Sequence, residues 1–99
     1  MLDKLASSDF SALLDEQFEI HAGDLQLDAA LVEVVDLEPP RGRAAGRTRP
    51  FSILLRAAGE PALPQGTYSL RHPGIGALEL FLVPIGAEEG DLLYEAVFN

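Results

Sequence analysis

Apolar residues recur at two-residue intervals along most of the chain, and a helical spacing occurs near its start. Phe10, Leu13 and Leu14 stand at i, i+3 and i+4 after Ser7-Ser8-Asp9, small polar residues suited to the first exposed amides of a helix. About two turns do not hold in isolation. The segment is therefore expected to lie as a lid over an end or flank of a sheet. From Gln17 the period becomes two: Phe18 and Ile20 alternate with Glu19 and His21 up to a hairpin at Ala22-Gly23-Asp24. Leu25, Leu27, Ala29 and Leu31 continue the alternation until Val32, Val34 and Val35 shift its phase. Such a shift requires a bulge or a bend, expected between Ala30 and Val32.

Phe51, Ile53 and Leu55 predict the next strand, with Leu54 on its mixed face. Ala57 to Pro64 reads as a loop, and Leu63-Pro64-Gln65-Gly66 suits a type I turn. Thr67 to His72 then forms a strand with Tyr68, Leu70 and His72 on one side, and His72-Pro73-Gly74-Ile75 has proline and glycine where a type II turn uses them. The longest apolar run, Ala77 to Ile85, follows. Leu78, Leu80 and Leu82 line one face; Phe81, Val83 and Ile85 line the other, which predicts a central strand buried on both sides over its second half. Pro84 lacks a backbone donor and marks a strand end, an edge or a bulge. Gly86 to Gly90 reads as a polar hairpin loop, and Asp91 to Phe98 as the last strand, with Tyr94, Ala96 and Phe98 sharing a face. The expected fold is mainly β: a single antiparallel sheet of about six strands curled into a small barrel or folded as a sandwich, with a short N-terminal helix.

Ninety-nine residues make one domain, 1–99, with space for a single core. A formal charge of −9, from 16 acidic against seven basic residues, opposes unspecific attraction to nucleic acid or anionic membrane. Neither is expected as a partner. Without cysteine there is no disulfide and no thiolate metal site. The start has no apolar signal-peptide core, and no stretch approaches the ~20 apolar residues that cross a bilayer, so the cytoplasm is the expected compartment.

One segment inverts the charge. Residues 39–50 include Arg41, Arg43, Arg47 and Arg49, and no acid stands between Arg41 and Pro50. Such a segment cannot bury itself and is expected to be a mobile loop. It can be a solvated linker, a docking element for an acidic protein, or a phosphate binder; the acidic body and the missing aromatic platform put nucleic acid last.

Other candidate chemistry is thin. His21 and His72, with Glu19, Asp24 or Glu95, are the material for a mixed metal site, but no close-spaced His pair supports one. No Gly-x-Ser-x-Gly elbow positions a nucleophile. Glu79, inside the apolar run, is the carboxylate whose environment matters most, although a period-two position turns it outward. No cofactor and no metal is assigned.

Phe51-Ser-Ile-Leu-Leu, Leu63-Pro-Gln-Gly-Thr-Tyr68, His72, Leu80-Phe-Leu-Val-Pro84 and Tyr94-Glu-Ala-Val-Phe-Asn99, with Asp9-Phe10 and Phe18, form a set spread over nearly the whole chain. It resembles a family of small, uncharacterised bacterial domains of about this length. The resemblance implies genes beside those of phage-tail-collar-like proteins, hence a tail-related assembly with such a neighbour as partner. It supplies no catalytic or binding residues. The expected function is a non-catalytic structural or protein-interaction module, not an enzyme. The alternative is a small enzyme or ligand-binding barrel with a pocket near His72 and Glu79. Homo-oligomers are a further expectation, through apolar residues such as Leu54, Leu92 and Leu93 that exceed the needs of one core.

Overall fold

Six strands and one short helix follow in the predicted order in the computed structural model, which describes residues 6–37 and 50–98. Helix α1 spans Ser7–Ser11; the strands are β1 (Gln17–Ala22), β2 (Leu25–Asp36), β3 (Phe51–Ala58), β4 (Gly66–His72), β5 (Gly76–Glu88) and β6 (Asp91–Phe98). All pairings are antiparallel, and the order β1-β2-β3-β6-β5-β4 closes on itself as a barrel, which decides between barrel and sandwich. Closure runs through Glu19 opposite Arg71, Ile20 opposite Leu70 and His21 opposite Ser69.

Two bulges bend the sheet. One interrupts the register of β2 with β3 between Leu31 and Glu33, where the phase shift predicted it, and the other interrupts β5 with β6 between Pro84 and Gly86. An extra residue in one strand bends that strand and raises its twist. Pro84 thus stands at a bulge, where its missing donor costs no ladder bond. It also lies beyond the reach of β4, whose pairing with β5 ends at Gly66 opposite Leu82.

Turn chemistry sets the hairpins. Gly23, at φ 62°, takes the position that a type II′ turn reserves for glycine. Between β4 and β5 the predicted type II turn is replaced: Gly74 keeps negative φ, the Ile75 amide donates to the His72 carbonyl, and Gly76 takes φ 79°. Without a positive φ at Gly74 the turn is not type II, and the left-handed residue is instead Gly76, the first of β5. The predicted loop at 86–90 shrinks to Glu89-Gly90, both at positive φ, because β5 runs on to Glu88.

One face of every strand fills the interior. Phe18, Ile20, Leu31, Leu55, Leu70 and Tyr94 are fully buried. Helix α1 covers one end and is shorter than expected. Its N-cap is Ala6, whose amide donates to the Asp9 carboxylate at 2.9 Å, so the predicted serine cap is absent. Phe10 points into the barrel, Leu13 is half-buried, and Leu14, expected on the same face, is exposed. The chain turns after Ser11, so the i+4 position no longer repeats the direction of Phe10.

Ala77 to Ile85 is the place where the expected burial fails. Leu78, Leu80 and Leu82 point inward, but Phe81 and Ile85 remain 52% and 51% exposed. A closed single sheet has one interior, and α1 rests on β2 and β3 at the barrel end. Nothing among the described residues covers the outside of β5.

Candidate interaction surface

His72 closes the helix end of the barrel. Its ring lies against Phe18, with centroids 4.6 Å apart, and its side chain is 10% exposed. The Gly74 amide donates to Nδ1 at 2.8 Å, so the ring proton sits on Nε2 and is donated to the Glu16 carboxylate, also at 2.8 Å. This latch ties the segment after α1 to the β4–β5 turn. Replacing His72 with alanine is expected to cost about 1 kcal/mol and to speed amide exchange in residues 6–16 more than in β3 or β6. Equal acceleration throughout the barrel would contradict the latch.

An open depression of about 320 Å³ lies beside it, lined by Gln17, Glu19, Arg71 and Ala77 as well as His72. Glu79 does not belong to it. Glu79 faces Ser69 across the β4–β5 ladder and points outward, whereas His72 keeps the inward phase of Leu70. The pocket expected around His72 and Glu79 is therefore not formed, since adjacent strand positions of odd and even phase face opposite sides. His21 also points outward, with Nε2 3.0 Å from the Glu19 carboxylate. Ser69 stands opposite His21 in the register, but its Oγ accepts from Arg71 Nε at 3.2 Å. No group of three or more metal-ligating side chains gathers among the described residues. Glu95 lies on β6, away from both histidines in the strand order.

At the opposite end Arg56 holds three carboxylates. Its Nε donates to Asp91 at 2.9 Å, and its terminal nitrogens lie 3.3 Å from Glu88 and 3.7 Å from Glu89. The hydrogen bond to Asp91, then the charges of Asp91, Glu88 and Glu89, raise the guanidinium above its ordinary range. A raised folded-state value contributes stability below arginine's own pKa and loses it only in strongly alkaline solution. Arg56 therefore adds no pH dependence to stability at neutral pH.

Against this polar detail stands an apolar outer face. In one row across the sheet Leu54 lies opposite Glu95, and Glu95 opposite Val83; in the next, Val35 lies opposite Ser52, and Ser52 opposite Val97. Phe81 stands two residues before Val83 on the same face of β5, and Val97 two residues beyond Glu95 on the same face of β6, so both continue this outer face past the Val83–Glu95 pair. Leu93 and the bulged Ile85 extend the patch towards the β5–β6 turn. Phe81, Ile85 and Val97 are about half exposed, at 52%, 51% and 49%. Ser52 beneath Val35 and Val97 is nearly buried, so the floor is closed. Of the residues expected outside, Leu54 and Leu93 are on this face and half-buried, whereas Leu92 packs inward against the core.

The sequence carried a signal for this face. Glu79 is in phase with Phe81 and Val83, and Glu95 with Leu93 and Val97; a second interior would not admit those carboxylates unpaired. Arg41, Arg43, Arg47 and Arg49 lie outside the described residues.

A closed barrel of six antiparallel strands around one buried apolar core, with a short helix at one end, defines the class: a small, mainly β domain. The chain belongs to the family described as Domain of unknown function (DUF6916), whose model matches residues 5–98. No curated protein and no solved structure matches it. No helix among the described residues is long and apolar enough to cross a membrane.

Proposed function

We propose that this domain is a non-catalytic protein-interaction module that binds through the outer face of β3, β6 and β5. The observation that carries it is the half-exposed set Phe81, Ile85 and Val97 on the outer face of a barrel that already has a buried apolar core of its own. Apolar side chains left together in water cost free energy that a partner recovers by covering them. A rigid closed sheet loses little entropy on docking. The tail-related assembly implied by the family resemblance is the setting in which we would look for the partner. A photo-crosslinking residue at position 81 in cells, with one at Gln26 on the outer face of β2 as the comparison, tests the reading. A defined protein adduct from 81 and none from 26 is expected; no adduct from 81 would refute it.

A further inference from the structure

We propose that the occupant of the β3–β6–β5 face is a cationic segment of a different protein that presents apolar side chains between lysines or arginines. This rests on the interaction reading above and adds the chemistry of the partner. Among the described residues the charges around the patch are nearly all of one sign. Glu95 lies within it, between Leu54 and Val83; Glu33 and Glu79 flank it; Glu88, Glu89 and Asp91 close the end towards the β5–β6 turn. Among the described residues the cation at this face is Arg56, and it is already engaged by three carboxylates. The imbalance holds for the whole barrel. Of the acids only Asp3 and Glu38 lie outside the described residues, as do Lys4 and the four arginines of 41–49; Arg56 and Arg71 are the basic residues that remain.

Two other occupants fit less well. A second copy packed about a twofold axis through the patch would set Glu95 and its neighbours against the same carboxylates, a like-charge contact in a desolvating interface. An added β-strand needs a row of free donors and acceptors. The stretch of β5 beyond the reach of β4 interrupts that row with Pro84 and a bulge, devices that blunt sheet edges. Docking therefore uses side chains: apolar groups of the segment cover Phe81, Val97 and Ile85 while its ammonium or guanidinium groups pair with Glu79 and Glu95. Charge of this kind makes association fast and salt-sensitive, and the apolar contact holds the complex.

The test uses three labelled synthetic peptides of equal length, alternating leucine with lysine, leucine with glutamate, and serine with lysine, titrated by fluorescence anisotropy against the full chain. Only the leucine–lysine peptide is expected to bind, weakening as salt rises, and about tenfold more weakly to F81S/V97S and to E79Q/E95Q. These positions point outward, so circular dichroism and melting should be unchanged; if the double variant unfolds, Ile85→Ser serves in its place. Equal binding of the leucine–glutamate or serine–lysine peptide, or affinity unaffected in the variants, overturns the inference. So does a dimer in sedimentation equilibrium that F81S/V97S dissociates. A crosslinked partner from position 81 whose contact segment is acidic would also overturn it while leaving the interaction module standing.

Discussion

Replacing Phe10 with alanine is expected to remove about 3–5 kcal/mol of folding stability, the range for emptying a buried phenylalanine site. The ring is fully buried and packs against Phe98 at 5.3 Å, Phe51 at 5.7 Å and Phe18 at 6.5 Å between centroids, while Phe51 and Phe98 stack on each other at 4.4 Å. Those partners come from β1, β3 and β6, so one side chain of a five-residue helix plugs an end of the barrel that the strands leave open. Collapse into the cavity is opposed by the sheet, because Phe51 is laddered on both sides, opposite Asp36 and Phe98, and Phe18 is held opposite Ala29. Urea unfolding measures the loss. A midpoint shift equivalent to less than about 1 kcal/mol, within the range of surface substitutions, would show that α1 is an ornament on a barrel already closed without it.

Replacing Tyr94 with phenylalanine is expected to cost about 1–3 kcal/mol although it deletes a single oxygen. The Leu63 amide donates to the Tyr94 hydroxyl at 2.9 Å inside the barrel, and Leu63 is itself buried. Phenylalanine keeps the packing and leaves that amide with no acceptor, so the loss is a desolvation penalty with little change in shape. The effect also has an address. Hydrogen exchange at Leu63 and its neighbours in the connection between β3 and β4 is expected to rise well before that of β2. A variant as stable as the native chain would mean that water reaches Leu63 and the interior is less closed there than its packing implies.

How far these features could be read in advance differs from element to element. The alternation of Phe18 with Ile20, of Leu27 with Ala29 and Leu31, and of Leu78 with Leu80 and Leu82 specified both the strands and the face each turns inward, because side chains of a strand alternate sides whatever the fold. The phase shift at Val32 specified a bulge for the same reason. The β4–β5 turn was placed correctly but given the wrong type. His72-Pro73-Gly74 is compatible with two geometries, and Gly76 at positive φ selects one of them only in the context of the ladder it begins. His72 and Glu79, drawn together by nearness along the chain, stand on opposite faces.

By itself the amino-acid order determined an antiparallel β-domain with one leading helix, the inward face of each strand, and an acidic body without cysteine. Only the tertiary structure decided that the sheet closes, and closure turned Phe81, Val83 and Ile85 from an expected second core into an outer surface. The reason is geometric: a run apolar on both faces states that two sides are greasy, not what lies beyond each. A sandwich or an overlying helix would have covered both. A closed single sheet has one inside, so among the described residues the other apolar face lies on the outer surface of the barrel.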